Sequence, residues 1–154
     1  MPSADEQNNM RINELFSREY PITWDRNRAH FKTANGRPGV IVFDADEPDE
    51  GDYSLVDVEF SVQDEFGVTG QGDATSIFAT VHSAIKEYIA DHQPDFITFS
   101  ADEPSRQKLY SRMVGRLPGY QQVQTDPYSI PVQLPMGFDD TSFMLVRQNV
   151  ASQL

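Results

Sequence analysis

The stretch from Asp57 to Leu117 constrains the fold more than any other part of the chain, because its apolar period switches from two residues to between three and four, and back again. Val56, Val58, Phe60 and Val62 alternate with Asp57, Glu59 and Ser61, the pattern of a strand covered on one face. Phe66-Gly67-Val68-Thr69-Gly70-Gln71-Gly72-Asp73 then supplies a turn. Ile77, Phe78, Val81, Ala84, Ile85, Tyr88 and Ile89 form one stripe at three- and four-residue steps, which predicts a long helix ended by His92-Gln93-Pro94. Phe96-Ile97-Thr98-Phe99 reads as a short buried strand. Asp102-Glu103-Pro104-Ser105 opens a second helix, with Leu109, Tyr110, Met113, Val114 and Leu117 as its buried stripe. This is a β-α-β-α unit, and a glycine turn between its first strand and helix is where such units tend to hold an anion.

Charge is distributed very unevenly. The net charge is −12, and no lysine or arginine occurs between Pro38 and Ile85. Asp44, Asp46, Glu47, Asp49, Glu50, Asp52, Asp57, Glu59, Asp64, Glu65 and Asp73 all lie there. Direct binding of nucleic acid is not expected of such a face, because phosphates need cations that release counterions. A protein partner with a basic surface is the expectation instead. The run from Asp44 to Asp52 invites a calcium reading, but it lacks the EF-hand order of ligands and Pro48 interrupts it. We therefore expect a charged, solvated loop and no metal. His30, His82 and His92 show no metal-ligand spacing. Lys108, Arg112 and Arg116 recur every four residues along the second helix and read as a solvated face that would suit an acidic partner or a phosphate.

The remaining chain fits around this unit. Residues 1–9 are polar and expected to be mobile, and 10–150 are expected to form a single domain. Met10 to Phe16 has the spacing of one or two helical turns, and Tyr20 to Trp24 reads as extended, with the single tryptophan as an anchor. Arg28 to Thr33 and Val40 to Asp44 read as a hairpin joined across Asn35-Gly36-Arg37-Pro38-Gly39, whose glycines suit left-handed dihedrals. Gln121 to Thr125 and Thr141 to Arg147 read as further strands. Between them, residues 126–140 hold Pro127, Pro131, Pro135 and Gly137, the composition of a segment lying along the surface over a site. The count is six or seven strands with two main helices on a sheet, an α/β or α+β fold. Without cysteine there are no disulfides and no thiolate chemistry. No apolar run approaches the roughly 20 residues that span a bilayer, and Met1 to Glu6 is unlike a secretory signal, so a cytoplasmic protein is expected.

In the order of its elements and in certain residues the chain resembles the GNAT superfamily of acyl-CoA-dependent N-acetyltransferases. The residues that carry the resemblance are the two glycines Gly70 and Gly72 of Gly67-Val68-Thr69-Gly70-Gln71-Gly72, after a strand and before a helix, and the pair Leu109-Tyr110 on the later helix. Phe-Gly-Val-Thr-Gly-x-Gly-Asp-Ala, with Ser-Ala-x-Glu-Pro-Ser-Arg-x-x-Leu-Tyr, also resembles small bacteriophage proteins. The resemblance implies a mixed, mostly antiparallel sheet and a cradle for the pyrophosphate of acetyl-CoA made by Val68, Gly70, Gln71, Gly72, Asp73 and Ala74. It further implies Tyr110 as the acid that protonates the departing thiolate. Gly67 stands where the family has glutamine or arginine, and Asp73 is a good helix cap that competes with a phosphate for the same N–H groups. Glu59 or Asp57, on the polar face of the central strand, would take the amine's proton directly or through water. Two functions follow from the resemblance and the charge. One is N-acetyl transfer to an amine. The other is a catalytically silent accessory protein of a phage, in the host cytoplasm or the virion, that binds a host protein through its acidic surface as a mimic of nucleic acid.

Overall fold

Period-two burial organises the strands. Along Arg28–Lys32 the side chains alternate exposed and buried, and along Pro38–Ala45 Gly39, Ile41 and Phe43 are buried. The computed structural model describes residues 19–46, 48, 49, 51–62, 73–100 and 104–154. Within these, the strands are β1 (Thr23–Asp25), β2 (Arg28–Lys32), β3 (Pro38–Ala45), β4 (Leu55–Val62), β5 (Phe96–Phe99), β6 (Tyr120–Gln122) and β7 (Phe143–Arg147). The helices are α1 (Asp73–His92), α2 (Pro104–Val114) and α3 (Gln148–Ala151). The strands form one mixed sheet in the order β1-β2-β3-β4-β5-β7-β6, an α+β fold. β4 and β5 run parallel, joined through α1, while β1–β2, β5–β7 and β6–β7 are antiparallel.

The described residues gather into two compact units, one within Met1–Ile41 and Phe60–Glu87, the other within Val42–Glu59 and Tyr88–Leu154. In the first, the hairpin turn closes as its residues predict. Thr33 and Arg37 exchange Thr33 N–H to Arg37 O (2.9 Å) and Arg37 N–H to Thr33 Oγ1 (3.1 Å), and Gly36 takes φ +80°. Gly39 serves differently from the expectation. It belongs to β3, and its missing Cβ leaves room for the Phe31 ring. Tyr20 stacks on that ring from the other chain segment, and its amide donates to Thr80 Oγ1 of α1.

In the second unit the start of the parallel pair is stapled. Asp95 Oδ2 accepts from the Ser54 amide (2.8 Å) and hydroxyl, Asp95 Oδ1 accepts from Arg147 Nη2 at 2.6 Å, and the Arg147 amide donates to Asp95 O. This holds β4, β5 and β7 in one register, Leu55 beside Phe96 and Phe96 beside Val146. α1 ends where expected, with Gln93 at φ +46° donating to Ile89 O ahead of Pro94. One sheet face packs on helices: Tyr88 of α1 stacks on Phe43 at 4.4 Å, and Tyr110 of α2 packs on Phe99 at 4.9 Å. The opposite face carries a cluster of Phe96, Met144 and Val146 with Ile130 and Val150, joined by Leu55, Val132 and Leu134. Residues 126–140 thus close this face, with Asp126 capping a 3-10 turn at Pro127–Ser129 and the Tyr128 and Phe138 rings meeting edge-on. The short α3 is an element the sequence reading does not contain. The expected N-terminal mobility, the turns at Met10 to Phe16 and the acids Asp102 and Glu103 lie outside the described residues.

Candidate functional site: an acidic cavity under a proline-rich strap

Strand alternation aims Val42 and Asp44 of β3 and Leu55, Asp57 and Glu59 of β4 to the side of the sheet away from the Phe43–Tyr88 stack. The acidic loop between those strands and the strap from Ile130 to Met136 rise around them. Together they enclose a cavity of about 620 Å³. Its polar walls are Asp44, Asp46, Asp49, Asp52, Asp57 and Glu59, with Tyr53 and Gln133, and its apolar wall is the strap, with Val42 and Leu55. Among the described residues, no lysine, arginine or histidine lines it.

Asp57 is the deepest of these acids. Asp57 and Glu59 are expected on a polar strand face, and the structure separates them: Glu59 is exposed, while Asp57 is only 7% exposed. The tertiary cause is the parallel neighbour and the strap, which cover the part of β4 that holds Asp57. Thr98, directly beside it in β5 and itself fully buried, donates its hydroxyl to Asp57 Oδ1 at 2.7 Å. No other described residue donates to the carboxylate. Burial pushes its pKa up from 3.8 to about 6, against the lowering effect of the Thr98 hydroxyl and with help from the nearby charges of Glu59 and Asp44.

The other expected site residues fall elsewhere. Tyr110 is fully buried between Phe99 and Phe143, and Phe99 points to the face opposite Thr98, so the structure does not bring Tyr110 to Asp57 or Glu59. Val68, Gly70, Gln71 and Gly72 lie outside the described residues, and Asp73 and Ala74 form the first turn of α1. Lys108 and Arg112 are exposed on α2. Among the described residues, no group of three or more histidines and carboxylates is placed to hold a metal ion, and no helix is long and apolar enough to cross a membrane.

Thr98 is the residue of the candidate site that the sequence reading passes over. Its signal is present, since it is the one polar side chain in the otherwise apolar strand Phe96–Phe99. The acids Asp44, Asp46, Asp49 and Asp52, expected in a solvated loop, are exposed, and they also line the cavity, because a distant segment, 130–136, crosses beside them.

A family model matches residues 40–128, more than half of the chain. The chain belongs to DUF6934, a family of unknown function. The segment shared with DUF6934 runs from β3 to the 3-10 turn and contains every described carboxylate of the cavity together with Thr98, while the strap and β7 follow it. No curated protein matches the chain.

Proposed function

We propose that this chain is an acyl-CoA-dependent N-acyltransferase whose acceptor is a cationic amine. The observation that carries the reading is Asp57, a buried carboxylate that opens into a cavity lined by acids and is held to a pKa of about 6. A carboxylate near 6 is mostly ionised at pH 7, yet about a hundredfold more basic than an ordinary aspartate. Such a group suits the abstraction of a proton from a bound ammonium.

The chain's residues divide this work. Glu59 and Asp44 draw the ammonium in, and the Thr98 hydroxyl occupies Asp57 Oδ1 and so directs Oδ2 to the incoming nitrogen. Asp57 takes the proton that the amine must lose before it can attack. Acetyl-CoA, when bound, would supply the thioester, whose C–S bond breaks as the C–N bond forms and whose sulfur leaves as a thiol carrying the second proton that the amine nitrogen gives up. The coenzyme side of the reading is supported by the resemblance of Gly70 and Gly72 to a pyrophosphate cradle and by the start of a 20-residue helix at Asp73, whose first amides have no intrahelical acceptor.

Two measurements test it. Acetyl-CoA at 100 times its dissociation constant should stabilise the fold by about 2.7 kcal/mol, and no thermal shift at millimolar coenzyme would remove the reading. Thiol release with an amine acceptor should fall by about 10²- to 10³-fold in Asp57→Asn while that thermal shift persists.

A second reading is favoured by the rim of the cavity, where Asp46, Asp49 and Asp52 stand exposed. It is that of an accessory protein without chemistry, which docks a basic protein partner on this surface. Capture of a partner from host lysate that is lost on neutralising Asp46, Asp49 and Asp52 would support it, and an unchanged set of partners would count against it.

A further inference from the structure

We infer that the residues preceding Glu19 cross the outer side of the first half of α1 and lay Ile12, Leu15 and Phe16 against it. The inference goes beyond the acyl-transfer reading and does not depend on it.

Burial along α1 is uneven. Ile77, Val81, Ala84, Ile85 and Tyr88 are buried, and Tyr88 stacks on Phe43, so this stripe is the one turned to the sheet. A helix covered by a sheet alone should expose its other side from end to end. From Lys86 onward it does, with Lys86, Glu87, Ala90, Asp91 and His92 all exposed. From Thr75 to Ile85 no residue is exposed on any side. Two alanines make the contrast without a difference in side chain. Both Ala79 and Ala90 lie about half a turn round the helix from the sheet stripe, yet Ala79 is 3% exposed while Ala90 is open to solvent. Something other than the sheet covers the first half of α1.

The residues of the helix agree. Ala74 to Ile85 contains no aspartate, glutamate, lysine or arginine, whereas Lys86, Glu87 and Asp91 follow. Phe78 and His82 stack 6.0 Å apart on the flank and are half-buried, which widens the surface of low polarity.

The course of the described chain identifies the occupant. The Tyr20 amide donates to Thr80 Oγ1 at 2.7 Å, and Thr80 is fully buried in the middle of the covered half. The residues before Glu19 therefore lead to this point. Phe16 precedes Tyr20 by four positions, a reach of at most about 13 Å, and the covered half of α1 is about 16 Å long. Ile12, Leu15 and Phe16 fall on one side at helical spacing, the apolar complement that such a surface needs. Residues 63–72, which join α1 at Asp73, hold Asp64, Glu65 and three glycines and offer no such stripe.

The chain has no cysteine, so a single introduced thiol can be followed in the full chain. Ala79→Cys should react with a thiol reagent at least about tenfold more slowly than Ala90→Cys. Leu15→Asp/Phe16→Asp should raise the rate at Ala79→Cys by at least about tenfold and leave that at Ala90→Cys unchanged. Equal rates at the two positions would overturn the inference, as would a slow rate at Ala79→Cys that the double variant does not move. A slow rate that rises on dilution as a dimer dissociates would also overturn it, because a second copy would then be the cover. If the double variant does not fold, oxidation decides. Ser83→Cys paired in turn with Leu15→Cys and Phe16→Cys should close an intrachain disulfide that Ala90→Cys does not, and closure of neither pair would overturn the inference.

Discussion

Asp57 has opposite consequences for stability and for chemistry. The folded carboxyl holds its proton up to about pH 6, while the unfolded chain releases it near the ordinary 3.8. Unfolding therefore releases a proton between those values, so this group lowers stability progressively as pH rises from about 4 to about 6, and the loss persists above. Asparagine keeps an acceptor for the Thr98 hydroxyl and carries no charge to desolvate. We expect Asp57→Asn to stabilise the fold at pH 7 by on the order of 2 kcal/mol and to change it little at pH 4, as read by urea denaturation at both values. An equal gain at both would mean that packing, not charge, is responsible. Activity should respond in the reverse sense, rising with pH through about 6 as the base ionises. Gly39 shows a purely steric constraint. A Cβ there would stand 2.3 Å from the Phe31 ring, which is 4% exposed and cannot swing clear. Gly39→Ala should lower the stability by about 1–3 kcal/mol, a shift of several degrees in a thermal melt.

At the scale of elements, the start of the parallel pair depends on a few polar atoms. Asp95 answers the Ser54 amide and hydroxyl and the Arg147 guanidinium, and both charged side chains are largely covered, Arg147 30% and Asp95 16% exposed. Asp95→Ala leaves that guanidinium and the Ser54 amide without their acceptor, at a cost of about 2–4 kcal/mol. Hydrogen exchange should show the amides of β5 and β7 opening faster while those of β1 and β2 are unchanged, and uniform acceleration would contradict a local staple. Tyr120 acts beside it. Its hydroxyl donates to Pro94 O, and burial pushes its pKa up to about 12, so it remains a donor across the working range. The strap is a second dependent element, anchored by Ile130 in the cluster with Phe96 and Val146. Ile130→Ala should cost about 2 kcal/mol or more and loosen the apolar wall of the cavity.

The whole molecule carries a charge of −12, concentrated in the segment that walls the cavity. A field of one sign focused on a cleft raises the rate at which opposite charges arrive. Stopped-flow association of a cationic amine such as hexylamine should slow by about two- to fivefold between roughly 20 and 300 mM salt, whereas acetyl-CoA, an anion, should associate faster as salt screens the repulsion. The same slope for both ligands would remove electrostatic steering from the account.

Much of this architecture was legible in the residues alone. The switch of apolar period places β4, α1, β5 and α2 close to their observed limits, because periodicity reports burial directly and Pro94 and Gly36 punctuate the chain through dihedrals that few other residues accept. The acids of the site were legible as residues, but not as a site. Whether Asp57 faces water or a buried hydroxyl depends on Thr98, 41 positions away, and whether the acidic loop is a solvated edge or a wall depends on where residues 130–136 cross. Tyr110 shows the same division: its place on a helical stripe is local, but only the packing of α2 on Phe99 and Phe143 sets it on the other side of the sheet from the carboxylates. Sequence by itself therefore determined the elements and the sign of the charge, since both are sums over neighbours along the chain. Tertiary structure decided that, of these acids, Asp57 is the one buried, because desolvation depends on segments that meet only after folding.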